Sequence, residues 1–134
     1  MMNEPLSSIM TRQVITANPE DKLSVARDIF LKNRVHHLPV VHGKTLMGIL
    51  TTYDMFKFVN RNEDYDKILI KDVMTSHVAT LEPEDKIGSA AELFLENLFH
   101  AVPIVKNGEL QGIVTSFDVI KYEFHKEYPT QDLD

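Results

Sequence analysis

Two Thr–Asp pairs carry the clearest chemical signal in this sequence. Thr51 and Asp54 are three residues apart, Thr115 and Asp118 have the same spacing, and each pair follows a Gly-Ile apolar run. A Thr and a carboxylate at this spacing cap a helix N-terminus by accepting backbone N–H bonds. The same position suits a ligand, because a helix N-terminus favours phosphate and a carboxylate accepts from a ribose diol. The residues alone leave both interpretations open.

Histidines form the second candidate group. His36 and His100 each stand three residues before a proline in an apolar run, and His37 follows in the first case only. Histidine titrates near neutral pH, so a phosphate contact through these side chains would depend on pH. The alternative is a metal site that combines them with His42. It is weakly supported, because neighbouring residues of an extended chain point to opposite faces, and we expect no metal.

Composition excludes several classes of function. The net charge is −6 at pH 7 over 134 residues, whereas a nucleic-acid footprint needs a basic face. Cysteine is absent, so there is no disulfide framework and no thiolate nucleophile. No apolar run approaches the roughly 18 residues of a membrane span, and the first ten residues do not resemble a signal peptide. With no phosphate-binding glycine loop or nucleophile motif, we expect a cytoplasmic protein that is not an enzyme.

Most of the sequence occurs twice, at one fixed offset and without gaps. The repeated segments are Met10-Thr11 with Met74-Thr75, Pro19-Glu20-Asp21-Lys22 with Pro83-Glu84-Asp85-Lys86, and Gly48-Ile49 with Gly112-Ile113. A repeat of this kind predicts two copies of one structural unit. Any site lying between the two copies should then come in two related versions.

Each repeat predicts the order strand, helix, strand, strand, helix. Apolar residues at helical spacing follow Asp21 and Asp85, which favours a capped helix of about 11 residues in each repeat. Two apolar runs come next, joined by His42-Gly43-Lys44 or by Asn107-Gly108, and the second of these is a strong hairpin signal. Further helices are expected from Thr52 to about Asn60 and from Ser116 to about His125. Short strands at 14–16 and 78–80, and short lead-in helices at 6–10 and 68–74, complete the prediction.

These elements set the predicted domain organisation. Repeat 1 covers residues 6–59, a polar linker covers 60–67, repeat 2 covers 68–124, and residues 125–134 form a C-terminal tail. The fold class is α/β (α+β), with two repeats related by a pseudo-two-fold axis.

Three motifs in a fixed order identify the family that the sequence resembles. Thr-x-x-Pro-Glu-Asp, His-x-x-Pro-[Val/Ile]-Val and Gly-Ile-x-Thr-x-x-Asp all occur twice, within residues 6–124. This arrangement resembles the CBS domain, named after cystathionine β-synthase, and two tandem copies look like a CBS pair, or Bateman module. The resemblance implies two small sheets packed face to face. It also implies two clefts between the repeats, where adenosine-containing ligands often bind.

The resemblance also implies which residues would line those clefts. The Asp would contact ribose, the Thr and the nearby histidines would contact phosphate, and the first strand would contact adenine through its backbone. The first cleft would use Thr11, Ile15, Val35, His36, His37, Thr115, Phe117 and Asp118. The second would use Thr51, Tyr53, Asp54, Thr75, Ala79, Phe99 and His100. For Ile15, Val35 and Phe99, plain core packing is the alternative.

The ligand and the partners follow as expectations. The candidates are AMP, ADP, ATP and S-adenosylmethionine, with no required cofactor, and the first cleft should bind more tightly because it has the extra His37 and the smaller Val35. The apolar helix faces indicate a homodimer, and an unidentified regulated protein is a possible further partner. The rival hypothesis is a structural or interaction module with vestigial clefts.

Overall fold

The computed structural model describes residues 2–56, 65–97 and 100–129. Along the chain lie helix α1 (Leu23–Asn33), strands β1 (His37–His42) and β2 (Thr45–Thr51), helix α2 (Thr52–Phe56), helix α3 (Ile87–Asn97), strands β3 (Ala101–Lys106) and β4 (Glu109–Thr115), and helix α4 (Ser116–Glu127). Single 3-10 turns at Leu6–Ser8 and Ile70–Asp72 occupy the predicted lead-in helices. Residues 57–60 of the predicted repeat-1 helix, the first part of the predicted linker, Phe99 and the end of the predicted tail lie outside the described residues.

The chain divides into two compact units that do not coincide with the sequence repeats. The central unit contains residues 15–78, and the terminal unit contains residues 1–14 together with 79–134. The lead-in segment that begins repeat 2 therefore belongs to the central unit, and the segment that begins repeat 1 belongs to the terminal unit. Each unit has an antiparallel hairpin, its helices and a lead-in turn.

The two hairpins have the same register. In the central unit β1 pairs with β2 from His37↔Thr51 to His42↔Thr45, with an irregularity between Val40 and Val41. In the terminal unit β3 pairs with β4 in the equivalent way. Asn107 and Gly108 both have positive φ, 54° and 79°, as the predicted tight turn requires, while Gly43 has φ 64°. Both predicted hairpins are confirmed.

A glycine lets the lead-in segment pair with each hairpin. Ile49 and Thr75 exchange two backbone hydrogen bonds of 2.9 Å in the central unit, and Thr11 and Ile113 exchange bonds of 2.9 and 3.0 Å in the terminal unit. A Cβ on Gly112 would lie 2.7 Å from the Thr11 carbonyl oxygen, and one on Gly48 would lie 2.6 Å from that of Thr75. No side chain fits at either position without moving the backbone.

Each unit buries an apolar cluster of its own. The terminal cluster contains Leu6, Met10, Ile87, Ala90, Phe94, Val102, Ile104, Val114 and Val119. The central cluster contains Ala17, Leu23, Ala26, Leu38, Val40, Leu50, Met55, Tyr65 and Ile70. Helix residues spaced three or four apart supply much of each cluster, as the apolar pattern of the sequence indicates.

Two local details differ from the sequence prediction. The first strand of each repeat is present only as a single parallel bridge, Ala17↔Val40 and Leu81↔Ile104. Asp21 does not cap α1: the N-cap residue is Lys22, without a side-chain hydrogen bond, and the Ile68 carbonyl accepts from the Leu23 N–H at 2.9 Å. Tertiary contact with the lead-in thus replaces a local cap. The Asp21 carboxylate accepts from the Asn18 N–H at 3.0 Å and closes a turn.

Candidate functional site

The two Thr–Asp pairs form reciprocal caps at the starts of α2 and α4. The Asp118 Oδ2 accepts from the Thr115 N–H at 2.8 Å, and the Thr115 Oγ1 accepts from the Asp118 N–H at 3.2 Å. Thr51 and Asp54 repeat this arrangement at 2.9 and 3.2 Å. The predicted caps are confirmed. In both caps the accepting carboxylate atom is Oδ2.

The two carboxylates differ in exposure. The Asp54 residue is only 7% exposed, whereas Asp118 is half-buried. A carboxylate that accepts from a ligand must be reached by it, so the difference favours Asp118 as the more accessible acceptor. The exposed Phe117 and Tyr53 stand immediately before these carboxylates, at 62% and 71% exposure.

Each lead-in segment places a second threonine near a capped helix. In the terminal unit Thr11 pairs with Ile113, two residues before Thr115, and the Thr11 side chain is exposed. In the central unit Thr75 pairs with Ile49 in the same way. The long-range pairing thus brings Thr11 into the unit that holds Thr115 and Asp118.

The histidines also lie near a helix start, within their own unit. The His36 carbonyl accepts from the Thr52 N–H at 3.1 Å, and the His100 carbonyl accepts from the Ser116 N–H at 2.9 Å. His36 and His100 are exposed, and His37 is half-buried at the start of β1. Sequence reasoning missed this proximity, although the equal spacing of each His from its Thr was a usable signal.

The remaining predicted residues are described only in part. Ile15 is 38% exposed and Ala79 is exposed, so neither is a fully buried core residue. Val35 is half-buried, and Phe99 lies outside the described residues. Their assignment to a ligand site stays a prediction.

A groove beside α4 brings together residues that the sequence motifs do not single out. Its volume is about 400 Å³, and it is lined by Ile9, Asp118, Lys121, Tyr122, His125 and Lys126. The five α4 residues recur at helical spacing, so they share one face of the helix. Only Asp118 among them belongs to a recognised motif, although the spacing to Lys121 and His125 was visible in the sequence.

Glu4, which is distant in sequence from α4, contacts two of the residues that line this groove, Tyr122 and Lys126. The Tyr122 hydroxyl donates a hydrogen bond to the Glu4 carboxylate, which lowers the pKa of Glu4 and raises the pKa of Tyr122. The Lys126 Nζ lies 3.8 Å from the Glu4 Oε1 and 5.3 Å from the centre of the Tyr122 ring. The groove therefore carries two lysines, a histidine and a carboxylate, with a second carboxylate beside one lysine.

The described residues hold neither a metal-binding cluster nor a membrane-spanning helix. Residues 2–56, 65–97 and 100–129 contain no group of three or more His, Asp or Glu side chains arranged to hold a metal ion. No helix in this part of the chain is long and apolar enough to cross a bilayer.

Comparison with known proteins defines the class. The CBS domain family model matches residues 6–61 and again residues 70–125. Because these matches cover most of the sequence, the chain belongs to the CBS domain family, as a tandem pair with an α+β fold. The predicted family and fold class are confirmed.

Three relatives show the range of that family. Inosine-5′-monophosphate dehydrogenase of Korarchaeum cryptofilum is 34% identical over 126 residues, which are 93% of this chain but only 25% of the enzyme. The CBS domain pair of protein MJ0100, solved with 5′-methylthioadenosine and S-adenosyl-L-methionine, superposes with a TM-score of 0.81 at 28% identity, covering 92% of this chain and 98% of that one. CBSX2, solved in complex with AMP, gives a TM-score of 0.84 at 24% identity, covers 92% and 98% of the two chains, and supports the fold alone.

Proposed function

We propose that this CBS pair is a regulatory module that binds an adenosine-containing ligand and carries out no reaction on it. The observation that carries the proposal is the capped Thr–Asp pair at the start of α4, with Thr11 held beside β4 in the same unit. The MJ0100 pair, which matches this chain over nearly its whole length, was solved with two adenosyl compounds. Binding by this chain is the proposed step.

Asp118 recognises the ribose in this proposal. Its Oδ2 stays in the helix cap, and its Oδ1 accepts from the ribose hydroxyls, so one carboxylate serves the fold and the ligand together. Charged hydrogen bonds of this kind contribute about 1.5–3 kcal/mol each. Asp54 and Thr51 form the related second site.

The other proposed contacts follow the family resemblance. Thr11, Ile15, Val35 and the histidines at 36 and 37 join the Asp118 site, and Thr75, Ala79, Phe99 and His100 join the Asp54 site. The clefts between the repeats stay a prediction. The candidate ligands are AMP, ADP, ATP and S-adenosylmethionine.

A thermal melt with each candidate tests the proposal directly. A ligand present at 100 times its Kd stabilises the folded protein by about 2.7 kcal/mol, which raises Tm by roughly 5–10 °C. Adenosine, AMP, ADP, ATP and S-adenosylmethionine are compared at equal concentration, with guanosine as the matched control. No shift with any adenosine compound at millimolar concentration rejects the proposal and supports the rival structural module, because the caps already satisfy Thr115 and Asp118 without a ligand.

Signalling by this module requires a state that the ligand favours. A ligand with equal affinity for two states shifts nothing, so occupancy must change either the shape or the assembly of the module. We propose a homodimer as the assembled state, and an unidentified regulated protein as a further partner. In the dehydrogenase relative, the region that matches this chain occupies a quarter of a larger enzyme.

Exposed apolar side chains on α4 support the homodimer. Phe117, Ile120 and Phe124 recur at helical spacing on α4, Tyr128 directly follows its last residue, and the four are 62%, 65%, 36% and 54% exposed. We call these four residues the α4 stripe. Tyr53 and Phe56 occupy the two matching positions on α2 and are 71% and 69% exposed. Several exposed aromatic and aliphatic side chains along one helix are the kind of surface that a protein–protein interface covers.

A further inference from the structure

The groove beside α4 has a charge arrangement that distinguishes among the candidate ligands. Lys121 and Lys126 give it two fixed positive charges, His125 adds an imidazole between them, and Asp118 stands at the N-terminal end. A nucleotide has the complementary order, with a neutral ribose diol at one end and a chain of phosphates at the other. The sulfonium group of S-adenosylmethionine is positive and is not complementary to the lysines.

The spacing along the helix fits the same order. At 1.5 Å per residue, Lys121 lies about 4.5 Å and Lys126 about 12 Å along α4 from Asp118. The first distance suits a phosphate attached directly to a ribose that Asp118 holds. The second is reached only by a longer phosphate chain. His125 lies four residues after Lys121, one turn further along the same face of the helix.

We infer that the α4 groove is a polyphosphate subsite, in which Lys121 binds the first phosphate of an adenine nucleotide and His125 and Lys126 bind the distal phosphates. This inference rests on the proposed function for its adenosine half, because Asp118 is the proposed ribose acceptor. Its phosphate half depends only on the groove. It predicts that the module binds nucleoside di- and triphosphates more tightly than AMP. All three nucleotides should bind more tightly than S-adenosylmethionine, which is cationic.

Glu4 is one competitor for this subsite, because it is one of the groups that hold Lys126. Its carboxylate lies 3.8 Å from the Lys126 Nζ, and both side chains are close to half exposed, at 48% and 39%. An ion pair of this length and exposure is weak. A phosphate forms shorter charge-assisted hydrogen bonds with the same ammonium group and displaces the carboxylate. Glu4 therefore contributes, together with Tyr122, to how firmly Lys126 is held in the absence of ligand.

The experiment measures Kd by calorimetry for adenosine, AMP, ATP and inorganic tripolyphosphate, in EDTA so that no divalent cation masks the phosphates. The wild-type chain should bind ATP more tightly than AMP. Lys126→Gln should weaken ATP about tenfold, the effect of losing one charge-assisted hydrogen bond, and leave AMP within twofold. Lys121→Gln should weaken both nucleotides and leave adenosine unchanged.

Two further variants control for charge. Lys106→Gln removes the same charge in the same unit, but Lys106 pairs with Glu84 away from the groove, so this variant should behave as wild type. Glu4→Gln removes the competing carboxylate and should tighten ATP. Equal affinity of the wild-type chain for AMP and ATP, or an equal effect of Lys126→Gln and Lys106→Gln on ATP, overturns the inference.

The same measurements distinguish failure of the proposed function from failure of the phosphate subsite. If the wild-type chain binds none of adenosine, AMP, ATP and S-adenosylmethionine, the proposed function fails. The subsite then stands if tripolyphosphate binds to the wild-type chain and is lost in Lys126→Gln, and it falls if tripolyphosphate does not bind. Binding of S-adenosylmethionine with no binding of ATP supports the proposed function and overturns the subsite.

Discussion

Asp118 combines a structural and a proposed ligand-binding role in one side chain. Its cap with Thr115 is complete without a ligand, so the presence of the two residues does not by itself show a site. The ribose contact uses the other carboxylate oxygen. The two roles therefore have separate energetic signatures, which a substitution can distinguish.

Asp118→Ala should lose the ligand response and keep the fold. The lost N3 carboxylate costs about 0.3–1 kcal/mol, which the domain tolerates with a drop in Tm of a few degrees. The lost ribose contact weakens adenosine or AMP roughly ten- to hundredfold. Thermal melts with and without the nucleotide measure both effects. Asp118→Asn, which retains an acceptor for the cap, is the matched control for stability.

A contrary result has a definite meaning. If Asp118→Ala melts far below the wild-type protein and yet shifts by the same amount with nucleotide, Asp118 only caps α4. The ribose assignment is then wrong.

The two related carboxylates should not be equivalent. Asp118 is the more exposed of the pair, and the sequence adds His37 and the smaller Val35 to the residues grouped with it. We expect calorimetry to find the tighter nucleotide site lost in Asp118→Ala and retained in Asp54→Ala. The opposite pattern would assign the tighter site to Asp54.

At the scale of elements, a glycine on the last strand of each hairpin decides where the lead-in segment lies. Gly112 allows the Thr11 carbonyl to approach β4, and Gly48 allows the same approach to β2. Without this approach Thr11 would not lie near Thr115. A backbone feature thus positions a side chain of the proposed site.

Gly112→Ala should destabilise the terminal unit by about 1–3 kcal/mol, the typical cost of overpacking, because the added Cβ meets a backbone oxygen that cannot move alone. Urea denaturation followed by circular dichroism measures the loss. Gly88→Ala is a milder comparison, since its Cβ would approach the Met2 carbonyl oxygen at 3.3 Å and not at 2.7 Å. If Gly112→Ala were as stable as the wild-type protein, the backbone at the Thr11–Ile113 pairing would be able to move and accommodate the added Cβ at little cost.

Helix α4 shows how one element serves two surfaces. Val119 is buried in the terminal cluster, Asp118 and Lys121 line the groove, and the α4 stripe faces solvent. A helix covers its apolar face against its own unit, so the exposed stripe needs another explanation. The proposed self-association through this stripe belongs to the scale of the whole molecule.

Ile120→Glu should convert the proposed dimer to monomer. The side chain is 65% exposed, so the folded monomer accepts a charge there, while a buried unpaired carboxylate at an interface is costly. Sedimentation velocity at tens of micromolar measures the change. Leu95→Glu on α3, where Leu95 is 82% exposed, is the matched control and should leave assembly unchanged. A wild-type protein that sediments only as monomer rejects the dimer.

The sequence by itself determined the features that depend on neighbours in the chain. The Thr–Asp caps join residues three apart, the Asn107-Gly108 turn joins adjacent strands, and α1 and α3 follow from apolar spacing. Such short-range patterns occur in both copies, so each element can be predicted independently from either repeat. The family followed from the same motifs.

The tertiary structure alone decided the features that join distant parts of the chain. The central and terminal units exchange the lead-in segments of the repeats, because Thr11 pairs with Ile113 and Thr75 with Ile49. Asp21 does not cap α1 as predicted, because a residue distant in sequence takes that place. The Ile68 carbonyl accepts the hydrogen bond at the start of α1. Helical periodicity places Asp118, Lys121 and His125 on one face, but it says nothing of what lies opposite. Ile9 and Glu4 reach that face from the other end of the chain, because backbone pairing and burial of an apolar lead-in act between residues that no local pattern connects.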